Sequence, residues 1–293
     1  CINCLHVLPE LKRLERKWAN ELVVIGVHSA KFTNERETEN IRQAILRHEI
    51  EHPVANDREM RVWHEYAVRA WPSFMLVDPR GKIVGSHSGE HVFDLFDGVI
   101  AQMVEHFAAE GTLDRAPRRV ALERARAPRS VLRFPGKVLA NEAGDRLFVA
   151  DTGNNRVVVA SLSTGAVLDI VGSGREGLQD GPFADAQLNH PQGLAVEGDL
   201  LYIADTENHA IRRADLRSRT VVTLAGDGRQ SEDFDSRPAP ARGRRLNSPW
   251  DLELAHGVLF VAMAGSHQIW GLDLEGGYLA GHAGSGREDH VDG

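Results

Sequence analysis

The second half of this 293-residue chain repeats itself in a fixed register, which constrains its fold more than any other feature. Phe134-Pro135-Gly136-Lys137-Val138 returns as His190-Pro191-Gln192-Gly193-Leu194 and as Ser248-Pro249-Trp250-Asp251-Leu252, with the prolines 56 and 58 residues apart. In step with them, Leu147-Phe148-Val149-Ala150-Asp151-Thr152-Gly153-Asn154-Asn155 returns as Leu201-Tyr202-Ile203-Ala204-Asp205-Thr206-Glu207-Asn208-His209. The third copy is Leu259-Phe260-Val261-Ala262-Met263-Ala264-Gly265-Ser266-His267. The units close on Gly172-Ser173-Gly174, Gly226-Asp227-Gly228 and Gly284-Ser285-Gly286. Each holds about four short alternating strands separated by turn residues, the pattern of a β-propeller blade.

Asp151 and Asp205 are expected to hold turns by accepting from backbone N–H groups, and so are Asn155, His209 and His267. Met263 stands where the third aspartate is due, which breaks any ring of metal ligands. Three blades leave a ring open and its edge strands unpaired. Residues 134–293 therefore read as a partial propeller of about three blades, in a fragment lacking its start and its remaining blades.

The first 110 residues follow a different plan. Cys1-Ile2-Asn3-Cys4 holds both cysteines of the chain, and Leu5, Leu8, Leu11, Leu14 and Trp18 follow at helical steps to about Asn20. Cys1 then sits at a helix N-terminus, where unpaired N–H groups and the helix dipole favour a thiolate, with Cys4 one turn further as the resolving thiol. Leu22 to Val27 reads as a core strand covered on both faces. A second helix is expected over Asn34 to Ile50 with Asn34 as its cap, and a short helical turn over Met60 to Val68. A hairpin then runs from Trp71-Pro72 through Asp78-Pro79-Arg80-Gly81 to Ser86, and Phe93 to Phe107 gives a last amphipathic helix. Pro9 should kink the first helix.

This order of CxxC helix, strand, helix, proline-led hairpin and helix resembles the thioredoxin fold. The resemblance accounts for Pro9, five residues after Cys4, and implies a cis-proline at Pro72 facing the CxxC motif. Trp71 and Pro72 would then be the substrate-binding wall. The buried acidic proton acceptor of many thioredoxins lies on a strand before the CxxC motif, and here no such strand precedes Cys1. His28 and Glu65 are substitutes by type, although a structural histidine and a solvated glutamate describe them as well. The Pro-x-Gly, Ala-Asp-Thr and Asn-His elements of the second half likewise resemble NHL repeats.

Charge excludes some partners. Residues 1–110 carry 13 basic against 17 acidic side chains, residues 111–133 carry 7 against 2, and residues 134–293 carry 14 against 23. The basic middle stretch reads as a linker, with a short helix possible at Val120 to Arg126. A net charge of −9 on the repeat region opposes nucleic-acid binding. No apolar run is long enough to span a membrane. Two cysteines are too few for a Cys4 zinc site, and His6 beside them offers only a poor mixed set, so neither metal nor cofactor is expected.

Across the whole chain the sequence resembles the NHL-repeat-containing protein 2 family and its bacterial relatives. The resemblance is carried by Cys1 to His6, Gly26 to Phe32, His52 to Asp57, Ala70-Trp71-Pro72, Phe134 to Val138, Ala204 to His209 and Ala262 to Trp270. It implies an α/β thioredoxin-like domain over 1–110, a linker over 111–133 and an all-β NHL propeller over 134–293. The function implied is thiol-disulfide exchange at Cys1 and Cys4 with a protein partner bound or positioned by the propeller. The alternative is a redox-silent scaffold that uses both domains for binding. The residues leave the compartment open, and the family favours a cytoplasmic setting.

Overall fold

The computed structural model describes residues 1–116, 122–123, 130–233 and 235–287, and the chain divides into two compact units, Cys1–Arg129 and Ser130–Gly293. The short helix expected at Val120 to Arg126 falls mostly outside the described residues.

The first unit runs α1 (Ile2–Lys17), β1 (Gly26–His28), α2 (Thr38–Arg47), β2 (Val54–Asn56), α3 (Arg61–Glu65), β3 (Ser73–Val77), β4 (Ile83–Ser88) and α4 (Val92–Ala109). β1 pairs in parallel with β2 and β3 antiparallel with β4, as two separate two-stranded sheets. The β3–β4 turn is closed by Asp78, whose Oδ1 accepts from the N–H of Arg80 at 2.9 Å and of Lys82 at 2.8 Å.

Three expectations shift here. The buried stripe of α1 centres on Val7 and Leu14, while Leu5, Leu8, Leu11 and Trp18 are only half-buried. The single helix expected from Asn34 is a 3-10 turn, Thr33–Arg36, followed by α2, and Asn34 caps neither. Glu35 takes over locally, accepting the N–H groups of Lys31 and Phe32, each at 3.1 Å. The third concerns Leu22 to Val27, which is regular strand only from Gly26 and is not covered on both faces. Val23, Ile25 and Val27 are 51%, 63% and 43% exposed, because one side of this two-stranded ladder lies open among the described residues. A continuous apolar run signals a strand but not the number of layers packed on it.

The second unit holds three antiparallel sheets, one per sequence repeat. The first is β5 (Val138–Ala140), β6 (Arg146–Asp151), β7 (Arg156–Ser161) and β8 (Val167–Val171), in that order. The second orders β10 (Pro191–Glu197), β11 (Leu200–Asp205), β12 (Ala210–Asp215), β13 (Thr220–Ala225) and then β9 (Gly181–Pro182). In the third, β15 (Pro249–Ala255), β16 (Val258–Met263), β17 (Gln268–Asp273) and β18 (Tyr278–Ala283) are followed by β14 (Ala239–Pro240). The cores lie between blades. Phe148, Val157 and Val171 of the first sheet bury against Leu188, Leu194 and Ile203, and Tyr202 and Ile211 of the second bury with Leu252, Val261 and Leu279. A sheet with two apolar faces needs a neighbour on each side, which is why the repeat specifies a stack.

The turn residues stitch the stack. Asp151 Oδ1 accepts from the N–H of Arg133 and Asp205 Oδ1 from that of Asn189, both at 2.7 Å. Thr152 Oγ1 donates to the carbonyl of Pro191 and Thr206 Oγ1 to that of Pro249, again both at 2.7 Å, so each blade grips the proline opening the next. Asn155 Oδ1 accepts from the N–H of His190 at 2.9 Å, and His209 Nδ1 from that of Ser248 at 3.0 Å. These side chains are architectural.

Candidate functional site

Cys1 is the exposed N-cap residue of α1, and its carbonyl accepts the N–H groups of Cys4 at 3.1 Å and Leu5 at 3.3 Å. Cys4, half-buried, lies one turn further, and both thiols are free. The first turn of α1 contains no acidic side chain, so none there offsets the positive helix end. Burial pushes the Cys4 thiol up; Glu35 adds to this, while Lys31 opposes it. That arrangement suits a buried second thiol beside an accessible first one.

The loop that follows β1 receives Trp71. Its Nε1–H donates to the carbonyl of Ser29 at 2.8 Å, and the Trp71–Pro72 peptide bond is cis. Trp63 lies against Trp71 with ring centroids 4.2 Å apart. Behind the loop stands Asp57, which is buried: Ser29 Oγ donates to its Oδ2 at 2.8 Å, as does the N–H of Trp63 at 2.9 Å, and the N–H of Val62 donates to Oδ1 at 3.1 Å. One carboxylate thus ties the loop after β1 to the start of α3, and both carry a partner of Trp71.

α1 is held to α4 by a second set of bonds. Glu10 Oε2 accepts the N–H groups of Val92 at 2.6 Å and Phe93 at 3.3 Å, placing a negative charge on the unpaired donors that open α4. Lys17 Nζ and Trp18 Nε1 donate to Asp97 at 2.7 and 3.0 Å, and the Arg13 guanidinium lies 3.8 Å from the Phe93 ring centroid. The helix carrying both cysteines is therefore fixed along most of its length.

The residues weighed as proton acceptors occupy other roles. His28 Nε2 is 3.1 Å from the carbonyl oxygen of Glu35, and Glu65 is exposed. His6 is buried with its Nδ1 2.9 Å from Glu90. Among the described residues no group of three or more His, Cys, Asp or Glu side chains has the arrangement of a metal site. Sequence reading missed Ser29, Asp57 and Trp63. The available signal was an aspartate at a strand end just ahead of a helical turn.

Residues 1–83 match the thioredoxin-like family model and residues 188–213 the NHL repeat. The chain is 42% identical over 302 residues to Protein SUPPRESSOR OF QUENCHING 1, chloroplastic, of Arabidopsis thaliana, covering 100% of this chain and 28% of that protein. It is 40% identical to NHL repeat-containing protein 2 of Gallus gallus and 38% identical to that of Homo sapiens, each match covering 95% of this chain and 40% of the relative. The chain thus spans well under half the length of these relatives. No helix among the described residues is long and apolar enough to cross a membrane. The two domains together support a redox-related or an interaction role, and NHL propellers commonly mediate protein interaction. Over its own length, the chain belongs to the NHL repeat-containing protein 2 family, a thioredoxin-like domain followed by NHL repeats.

Proposed function

We propose that the chain carries out thiol-disulfide exchange through Cys1 and Cys4 on a protein partner that the NHL propeller binds or positions. The observation that supports this most is the pairing of Cys1 at the start of α1 with a half-buried Cys4 one turn further, on a helix whose first turn holds no acidic side chain. The Cys1 thiolate attacks one sulfur of a partner disulfide. The partner S–S bond breaks, its other sulfur leaves as a thiolate, and a mixed disulfide forms. Cys4, once deprotonated, attacks Cys1 Sγ, which releases the second partner thiolate and leaves a Cys1–Cys4 disulfide. Two electrons pass to the partner, and a dithiol reductant restores the pair. Trp71 and Pro72 would align the incoming chain through backbone contacts.

Cys4→Ser is expected to trap disulfide-linked partners that reducing agent releases, whereas Cys1→Ser traps none. If Cys4→Ser traps nothing and the Cys1–Cys4 pair shows no defined equilibrium with glutathione, the redox reading is lost. The scaffold reading would then stand, in which the double serine variant keeps full function.

A further inference from the structure

Asp57 closes the ladder between β1 and β2 and then reaches beyond it. Its N–H donates to the carbonyl of His28 at 3.0 Å, so the two strands stay paired up to the loop that carries Ser29. Its buried side chain goes on to bond two further segments: Ser29 Oγ and the N–H of Trp63 donate to Oδ2, and the N–H of Val62 donates to Oδ1. Its carbonyl accepts the N–H of Met60 at 2.9 Å. A helix of five residues such as α3 gains little from its own hydrogen bonds, so what holds its first turn decides where it sits.

Both partners of Trp71 hang on this carboxylate. The carbonyl that takes the Trp71 indole N–H belongs to Ser29, and the ring lying 4.2 Å from the Trp71 ring, tilted by 32°, belongs to Trp63. One contact fixes an edge of the indole and the other covers a face, which together set both side-chain torsions of Trp71. The far end of the Ser29 loop is held as well, because Glu35 Oε2 accepts the N–H groups of Lys31 and Phe32. Trp63, Trp71 and Pro72 all remain half-buried.

We propose that Asp57 is the positioning residue of the Trp71–Pro72 wall: through Ser29 and Trp63 it fixes the orientation in which Trp71 meets a polypeptide that carries a disulfide. Asp57 is buried and its oxygens are spent on three donors, so it acts through these neighbours rather than on sulfur. A small disulfide reaches the thiols without lying along the wall, whereas a polypeptide has to lie along it. Loosening Trp71 therefore weakens engagement of the polypeptide above all. The effect on partner choice rests on the thiol-disulfide reading given above; the effect on Trp71 does not.

The test uses the full chain with Ser29→Ala, which removes one donor, and with Asp57→Asn, which leaves one acceptor oxygen for three donors. Hydrogen exchange of the indole N–H groups is followed by nuclear magnetic resonance, first with Cys1→Ser and Cys4→Ser added so that no thiol chemistry enters. Trp71 is expected to exchange about tenfold faster in each variant, while Trp18, whose indole donates to Asp97 in the same unit, keeps its rate. Equal acceleration of Trp18 and Trp71 means general unfolding, and unchanged exchange at Trp71 means that Asp57 does not fix it; either result overturns the proposal. With the thiols intact and dithiothreitol as reductant, the KM for insulin should rise about fivefold while kcat changes by less than about twofold, so the preference for insulin over bis(2-hydroxyethyl) disulfide falls. An equal loss on the two disulfides also overturns the proposal. A parent chain that reduces neither disulfide removes the redox reading instead, and the exchange rates then decide the role of Asp57 by themselves.

Discussion

Ser29 donates its hydroxyl to Asp57 Oδ2 at 2.8 Å, and both side chains are buried. This bond links the two sides of the Trp71 pocket, since Ser29 also gives its carbonyl to the Trp71 indole and Asp57 accepts the N–H of Trp63, whose ring lies against Trp71. Asp57→Ala is expected to destabilise the first unit by ~3 kcal/mol, because three donors lose a charged acceptor in a buried setting. Urea denaturation measures the loss, and the indole fluorescence of Trp63 and Trp71 should change in the native baseline. Burial pushes the Asp57 carboxyl up, but the bonds from Trp63, Ser29 and Val62 outweigh it and hold the group below the usual carboxylate range. Its contribution is therefore complete above the unfolded value near 4 and disappears as pH falls through the folded value. An Asp57→Ala chain that loses less than ~1 kcal/mol would show that the network is not stabilising.

The fold was legible where the sequence repeats or alternates, and the site only in part. Three prolines in register gave the blades, and Asp151, Asp205, Asn155 and His209, read as turn-holders, do bond backbone donors, but those donors lie 16 to 39 residues away in neighbouring segments rather than in their own turns. Cys1, Cys4, Trp71 and Pro72 were marked by residue type. Asp57 was not, since its role depends on Ser29, which is 28 residues away, and no local spacing records that contact. Nor did the sequence show that the fifth strand of two blades comes from the inserts between repeats. A two-residue strand such as Gly181–Pro182 has no periodicity to read.

The grip of one blade on the next predicts a matched pair of losses. Thr152→Val and Thr206→Val keep shape but remove the hydroxyl, leaving the carbonyls of Pro191 and Pro249 without that donor between blades. Each should cost ~1–2 kcal/mol in thermal or urea unfolding, because a buried acceptor is left with one partner fewer. The third copy provides the contrast. Ala264 stands at the equivalent position, so Ala264→Val removes no hydroxyl and should show no such hydrogen-bond loss. Equal losses at all three sites would assign the effect to packing.

Close approach of the innermost strands sets a glycine requirement. A Cβ added at Gly193 would lie 2.4 Å from Cα of Asp251 and 2.7 Å from the carbonyl oxygen of Trp250, both backbone atoms of the third blade. Gly193→Ala is expected to destabilise by ~1–3 kcal/mol, as strands β10 and β15 must separate. Gly98 in α4 is the opposite case, with open space around its Cβ position and helical neighbours on both sides. Gly98→Ala should stabilise the chain by ~0.5–1 kcal/mol through helix propensity alone. Differential scanning calorimetry of the two variants reads both signs, and a stabilising Gly193→Ala would mean that the blades approach less closely.

Arg212 is completely buried, and its guanidinium is spent on four acceptors: Asp205 Oδ2 at 2.7 Å, Asp180 Oδ1 at 2.8 Å, and the carbonyls of Gln187 at 2.8 Å and Gln179 at 3.0 Å. It thereby pins the insert between the first two blades to the second blade. Burial pushes the Asp205 carboxyl up to about 6, against the pull of Arg212, the Asn189 N–H and Asn208. Removing the cation removes the largest of those opposing influences. Arg212→Leu should therefore cost ~3–5 kcal/mol at pH 7, where it leaves a buried carboxylate without its counter-charge. A raised folded value means that the native state takes up a proton between the unfolded value near 4 and the folded one, so stability falls as pH rises through that window. The Arg212→Leu penalty should accordingly be smaller at pH 5 than at pH 7, because the variant's Asp205 is then protonated and needs no cation. Adding Asp205→Asn should recover part of the loss at pH 7 and flatten the pH dependence. Urea midpoints of the two variants at pH 5 and pH 7 decide the matter. A penalty that grows toward pH 5 would show that Asp205 remains ionised without Arg212 and that the pinned insert, rather than the buried charge, carries the energy.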